Sequence, residues 1–104
     1  MNASAIAFGV CLLEEHALPL EPFAAACGAH AEFIRQLVDE GLLQPAVQEP
    51  EWRFGGAELA RVRRIARLQR DFEANLHSVA VMLDLLDEID RLRAVLRRAG
   101  IAPP

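Results

Sequence analysis

The chain has 104 residues, of which 53% are hydrophobic and 25% are charged, and its formal net charge is -4. This length fits one small domain with its own core and leaves no room for a cofactor domain beside a substrate domain. The apolar content excludes a disordered chain. The two cysteines, Cys11 and Cys27, are too few for a disulfide framework. No signal-peptide pattern opens the chain, and no apolar run reaches the roughly 18 residues of a membrane helix. We therefore predict a single domain over residues 1–104, located in the cytoplasm.

Two helices are predicted after a proline-containing break at Leu18–Pro22. The first covers Pro22–Cys27 and stops at Gly28, with Pro22 in a first-turn position. The second covers Ala31–Glu40 and ends at Gly41, which suits a left-handed cap. Its apolar face consists of Phe33, Ile34, Leu37 and Val38. Two helices joined by a tight glycine-containing turn indicate a helix-turn-helix motif.

A short strand is predicted at Trp52–Phe54, where aromatic residues flank a charged one. The apolar segment Val10–Leu13 is a candidate partner for this strand, and Gly55–Gly56 ends it. A third helix follows over Ala57–Phe72. Its inward-facing residues are predicted to be Leu59, Val62, Ile65, Leu68 and Phe72.

The fourth predicted helix covers Leu76–Ala99, a stretch without glycine or proline, and it carries two apolar stripes. One stripe packs on the rest of the domain and contains Val79, Leu83 and Leu86. The other has the spacing of a heptad seam and contains Met82, Leu85, Ile89, Leu92, Leu96 and Ala99. Because one helix cannot bury two stripes against one small domain, we predict that the seam residues from Met82 to Leu96 form a homodimer. A single wide stripe packed on its own chain is the alternative.

The sequence offers little support for catalysis or for a metal site. The three histidines, His16, His30 and His77, fall on separate elements and lack neighbours at ligand spacing. The carboxylates of Asp84, Asp87 and Glu88 share one helix face, where acid–base chemistry is conceivable. A solvated face with pairs such as Asp87 with Arg91 fits the pattern better. We predict a protein that is not an enzyme and holds no cofactor and no metal.

The charges are distributed unevenly, which bears on the partner. Glu14–Glu51 contains eight acidic residues and one arginine, whereas residues 52–70 contain six arginines and one glutamate. DNA binding draws most of its affinity from basic contacts to phosphates, yet the second predicted helix sets Arg35 against Glu32, Asp39 and Glu40. This distribution favours a basic protein partner over DNA. The candidate contact residues are Glu32, Asp39 and Glu40 on the second helix and Asp84, Asp87, Glu88, Asp90 and Arg91 on the fourth. The alternative is that these charges only keep the surface soluble.

Two passages resemble the winged-helix head of MerR-type regulators. They are Gly28–Pro45, with its Gly41-Leu42-Leu43-x-Pro45 unit, and Trp52–Phe54. The sequence departs from that family at the recognition helix, where Glu32 replaces a usual arginine and Gln36 and Leu37 replace usual tyrosines. Arg35 keeps the pattern, and the metal-sensing cysteines of some members are absent. A MerR-type DNA-binding regulator is therefore the alternative function, and a structural dimer without a switched partner is a third.

Three further motifs resemble the chaperone-modulator family, CbpM, over about residues 18–98. They are Glu51–Phe54, Leu68–Phe72 with Asn75-Leu76, and Leu83–Ile89. The resemblance implies a MerR-like winged helix-turn-helix over residues 18–74 and a long C-terminal helix over 75–99, all-α apart from a small β wing. It also implies binding to the J-domain of a CbpA/DnaJ-like co-chaperone, inhibition of its stimulation of DnaK, and dimerisation through the long helix.

Overall fold

The computed structural model describes residues 17–102 of the chain. Within that range the elements are β1 (Leu18–Pro19), α1 (Leu20–Cys27), α2 (Ala31–Asp39), β2 (Arg53–Phe54), α3 (Gly56–Phe72) and α4 (Leu76–Arg98). The predicted all-α class with a small β wing and a long last helix is confirmed. The chain divides into two compact units, one ending at Ala66 and the other beginning at Arg67. That residues 1–104 fold as a single domain stays a prediction.

Helices α1 and α2 form the predicted helix-turn-helix. Helix α1 begins two residues earlier than expected, which still leaves Pro22 in the first turn, where a missing N–H is tolerated. Gly28, with φ of 69°, ends α1, and its N–H donates to the carbonyl of Ala25 at 3.1 Å. Gly41, with φ of 77°, follows α2, where the Leu42 N–H donates to the Leu37 carbonyl at 2.8 Å. Both glycines occupy the left-handed conformation that other residues adopt at a cost.

The wing consists of β2 and the segments that pair with it. Strand β1 is antiparallel to β2, with Leu18 opposite Phe54 and Pro19 opposite Arg53. Arg53 also forms a bridge to Val47, in which the Arg53 N–H donates to the Val47 carbonyl at 2.9 Å and the reverse bond measures 3.2 Å. The segment from Val10 to Leu13, the candidate partner strand, lies outside the described residues.

An aromatic stack lies in the core of the first unit and connects α1 to the wing. Phe23 and Phe54 are both fully buried, and their ring centroids are 4.6 Å apart with nearly parallel planes. Trp52 meets Phe54 edge-on at 6.4 Å. Such aromatic pairs contribute packing beyond the area that they bury. Fully buried Ile34 and Leu37 on α2 add to the same unit's core.

The apolar residues of helix α3 are distributed around more than one face of the helix. Leu59, Val62 and Ile65 are buried, as predicted, and Leu68 is half-buried. Phe72 is 64% exposed, so its assignment to the inward face was wrong. Leu59, Val62 and Ile65 all lie in the unit that ends at Ala66, whereas Phe72 is the last residue of the helix and lies in the unit that begins at Arg67.

Helix α4 begins with a side-chain cap and has one buried stripe. The Oδ1 atom of Asn75 accepts a hydrogen bond from the Ser78 N–H at 2.8 Å. Leu76, Val79 and Leu83 are buried and Leu86 is half-buried, which agrees with the first predicted stripe. The helix ends at Arg98, one residue before the predicted end.

Removing the Asn75 cap should destabilise the protein modestly. We expect Asn75→Ala to lower the free energy of unfolding by about 1 kcal/mol, because the Ser78 N–H loses its acceptor. Urea denaturation followed by circular dichroism measures this change. Asn75→Asp is the matched control, since it keeps a capping oxygen and should retain the stability of the wild type. Equal losses in both variants would contradict a capping role.

Candidate partner-binding surfaces

The outward side of α2 forms an acidic surface around an aromatic residue. Glu32, Gln36, Asp39 and Glu40 are exposed, and Phe33 is half-buried among them. Together with His30 these side chains line a shallow concavity of about 560 Å³, which we call the α2 surface. The structure thus brings together the three acidic residues that the sequence predicted on this helix. From the sequence, Phe33 was placed on the apolar face of the helix and only the acidic residues were named as candidates, so Phe33 and Gln36 were not predicted as part of this surface.

The two arginines that a DNA-reading domain would use are held by neighbouring acceptors. Arg35 contacts the Glu32 carboxylate at 3.2 Å on α2. On the wing, Arg53 donates one bond to Glu51 at 2.9 Å and another to the carbonyl oxygen of Ala17 at 3.1 Å. Exposed ion pairs contribute little to stability. Each carboxylate nevertheless offsets the positive charge of the arginine, which is the charge that would attract a phosphate. The recognition helix and the wing therefore lack the net positive charge that DNA binding requires.

The middle of α4 has a second group of exposed acidic residues, the α4 acidic set, which comprises Asp84, Asp87, Glu88 and Asp90. Arg91 forms a bidentate pair with Glu88, with nitrogen–oxygen distances of 2.6 and 3.0 Å. The sequence predicted a pair of Arg91 with Asp87, four positions away. The observed bidentate pair joins Arg91 to Glu88, three positions away. The hydrogen bonds from Arg91 lower the pKa of the Glu88 carboxyl. Glu88 is accordingly ionised at neutral pH.

The predicted heptad seam lies along an exposed apolar face of α4. Leu85 is 62% exposed, Ile89 42% and Leu92 47%, while Met82 and Leu96 are half-buried. The homodimer through this face stays a prediction, with a wide stripe packed on its own chain as the alternative. Two residues that the sequence analysis did not include, Val81 and Val95, extend the exposed face. A second heptad register contains Val81, Leu85, Leu92 and Val95. The position between Leu85 and Leu92 in this register is occupied by Glu88.

The described residues offer no sign of a metal centre or a reactive thiol. Within residues 17–102, no three histidine, cysteine or acidic side chains are placed to hold an ion. Burial raises the pKa of the Cys27 thiol to about 11, although Arg63 acts in the opposite direction. A thiol with this pKa stays protonated at neutral pH and is a poor nucleophile. None of the helices in this range is long and apolar enough to cross a bilayer. His16 and Cys11 lie outside the described residues.

Comparison with known proteins agrees with this architecture. A family model described as MerR HTH family regulatory protein matches residues 18–99. A chaperone modulatory protein CbpM of Coxiella burnetii is 31% identical over 90 residues, covering 86% of this chain and 85% of the relative. The chain belongs to the CbpM family. Another member, from Pseudomonas putida, is 32% identical over 65 residues, covering 62% of this chain and 64% of the relative.

Membership of the CbpM family fits the departures at the recognition helix. The chain keeps the MerR-type helix-turn-helix and wing. Its α2 surface is acidic, however, whereas the recognition helix of a DNA-binding protein is basic. The family relationship and the charge distribution both favour a protein partner over a nucleic acid.

Proposed function

We propose that this protein is a chaperone modulator without enzymatic activity, which acts in the cytoplasm by binding the J-domain of a CbpA/DnaJ-like co-chaperone. Binding prevents the J-domain from stimulating DnaK. Family membership carries this proposal, since the relatives bear the name chaperone modulatory protein. The J-domain enters as the target that the family resemblance implies.

Charge complementarity supports the proposed partner. J-domains meet DnaK through a basic helix and an adjacent His-Pro-Asp loop, so a protein that covers this region should present acidic side chains. The α2 surface and the α4 acidic set are both exposed and both acidic. Opposite charges accelerate encounter and fix the relative orientation of two proteins. We propose that Glu32, Asp39 and Glu40 and the α4 acidic set with Arg91 contribute to J-domain binding.

A second copy of the chain is the proposed partner of the exposed apolar face on α4. The face has heptad spacing, which is the pattern by which two helices bury a shared seam. Charge suggests the orientation, because the α4 acidic set precedes Ile89 or adjoins it while Arg93, Arg97 and Arg98 follow it. An antiparallel pair with Ile89 at its centre places Asp84 and Asp87 of each helix near Arg93 and Arg91 of the other. We therefore propose an antiparallel homodimer.

The proposed function is tested with the J-domain protein encoded in the same genome. Binding is measured by titration calorimetry, and inhibition is measured as the loss of J-domain-stimulated ATP hydrolysis by DnaK. We expect a complex in the first assay and lower ATPase activity in the second. Unchanged ATPase activity at saturating concentrations of this protein would overturn the proposed inhibition, and the absence of a complex would overturn the proposed partner.

Charge reversal on each acidic surface should weaken J-domain binding. We expect Asp87→Arg with Glu88→Arg, and separately Glu32→Arg with Asp39→Arg, to raise the dissociation constant about tenfold or more at low salt. Calorimetric titration measures both variants. The matched control is Glu21→Arg with Glu49→Arg, which changes the net charge equally at exposed positions outside both surfaces. Wild-type affinity in one of the two variants removes that surface from the interface, and an equal loss in the control would indicate only a long-range charge effect.

A gel-shift titration over several salt concentrations tests the alternative of a DNA-binding regulator. Since Arg35 and Arg53 are each paired with an acidic side chain, we expect no tight binding to duplex DNA. Tight, steeply salt-dependent binding to one duplex would favour the regulator instead.

A further inference from the structure

The concavity of the α2 surface has an aromatic end and a charged end. Phe33 lines it and is half-buried, whereas the neighbouring Ile34 is fully buried in the core. Gln36 and the C-cap residue Glu40 follow Phe33 by three and seven positions, so the three side chains form one row along α2. Over seven residues an α-helix rises by about 10 Å. The row therefore separates the Phe33 ring from the Glu40 carboxylate by two helical turns.

The carboxylates at the charged end keep their negative charge. Among residues 17–102, the Asp39 carboxylate forms no hydrogen bond and no ion pair. Glu40 accepts one long hydrogen bond, at 3.5 Å, from the uncharged amide of Gln36. The basic residue of α2, Arg35, contacts Glu32 instead, at 3.2 Å. Asp39 and Glu40 are therefore available to a cation from outside the chain.

Together the two ends of the row select a long basic side chain. The methylene stem of such a side chain packs on apolar surface while its charged head stays with polar groups. Laid along the row, the stem covers the Phe33 ring and the head reaches Asp39 and Glu40. Arginine fits better than lysine, because its planar fork of N–H groups can donate to both carboxylates at once. Nucleic acids do not fit, since the same carboxylates repel phosphates.

We propose that the α2 surface binds one arginine of the partner protein, whose stem lies on Phe33 and whose guanidinium pairs with Asp39 and Glu40. The inference rests on the proposed function for the identity of that partner, in which the basic helix of the J-domain supplies the arginine. It adds the side chain that is recognised. It also gives a role to Phe33, which contributes no charge to the surface.

The first test titrates a short peptide, acetyl-Gly-Ala-Arg-Ala-Gly-amide, into the full-length protein and follows the backbone amides by two-dimensional NMR. We expect saturable shifts in residues 30–40. The counterpart with citrulline keeps the shape of arginine without its charge, and it should bind about tenfold more weakly or not at all. Shifts confined to other residues, or equal affinity of these two peptides, would overturn the proposal.

Two further peptides test the length and the head of the bound side chain. One carries the guanidinium on a single methylene, so it cannot extend from Phe33 to the carboxylates and should lose affinity. The other carries lysine, which has the stem but not the planar fork, and it should bind more weakly than arginine. Wild-type-like affinity of the short side chain would overturn the placement along the row. Equal affinity of lysine would overturn the assignment to arginine.

Two variants locate the arginine, and a third is the control. Asp39→Asn with Glu40→Gln removes both charges, keeps both shapes and should weaken peptide binding about tenfold. Phe33→Ala should also weaken it, because the stem loses its apolar contact. The control, Glu21→Gln with Glu49→Gln, makes the same charge change at exposed positions outside the α2 surface and should keep the wild-type affinity. Wild-type affinity in a folded site variant, or an equal loss in the control, would overturn the site.

The amide spectrum shows whether each variant is folded, so the exposed Asp39→Asn with Glu40→Gln variant decides if Phe33→Ala is not. Titration of the J-domain protein then separates this proposal from the proposed function. A J-domain that binds the wild type and the site variants equally would overturn the arginine site and leave the proposed function in place. If no J-domain complex forms, the proposed function fails, and the peptide titrations alone decide the arginine site.

Discussion

Phe54→Ala is expected to lower the free energy of unfolding by about 4 kcal/mol, because it removes a fully buried aromatic side chain and leaves a cavity. The loss includes the stack with Phe23, whose ring centroid lies 4.6 Å away. Since a small domain is stable by only about 5–15 kcal/mol in total, this change removes a large fraction of its stability. Chemical denaturation of the wild type and the variant measures the difference.

Phe72→Ala is the matched control for this substitution. It deletes the same side chain at a position that is 64% exposed, where we expect a loss well below that of the buried site. Similar losses at the two positions would contradict the burial assigned to Phe54 and Phe72. A small effect at Phe54 alone would show that the wing contributes little to the core.

Ile89→Asp is expected to convert the proposed dimer into a monomer. Ile89 lies in the middle of the exposed apolar face, and in an antiparallel pair it approaches its own counterpart. The substitution would bury two unpaired carboxylates in the dimer interface, which costs several kcal/mol. Every 1.4 kcal/mol or so of that cost raises the dissociation constant of the dimer about tenfold. Sedimentation equilibrium at matched protein concentrations measures the masses.

Arg67→Gln controls for net charge, since it shifts the charge by the same single unit at an exposed position of α3, outside the proposed interface. We expect this variant to keep the dimer. A monomeric wild type would refute the dimer, and a dimeric Ile89→Asp variant would show that copies associate through another surface.

The positions of the helices could be predicted closely from the sequence, because glycines and prolines mark where they end. Gly28 and Gly41 both occupy left-handed caps in the structure. The inward face of α3 was less predictable, since the apolar residues continue at helical spacing through Leu68 to Phe72, although the buried part of the helix ends before Phe72. The pairing of β2 with Leu18–Pro19 also escaped prediction, because a strand of two residues carries no periodicity.

The acidic character of α2 and the apolar face of α4 were also predictable, because residue type and spacing determine them. The bidentate pair of Arg91 with Glu88 was not, since Asp87 and Glu88 are both about one turn away and sequence spacing does not distinguish them. The hydrogen bond from Arg61 to the Leu42 carbonyl joins residues that are 19 positions apart. Such a contact between a loop and a helix has no signature in local sequence.

Arg53 has become a structural connector of the wing. Its backbone pairs with both Val47 and β1, and its guanidinium holds the Ala17 carbonyl and the Glu51 carboxylate. If its guanidinium turned to a phosphate, the hydrogen bond to the Ala17 carbonyl and the contact with Glu51 would be lost. We therefore expect Arg53 to hold the N-terminal end of β1 to the wing rather than to contact a phosphate.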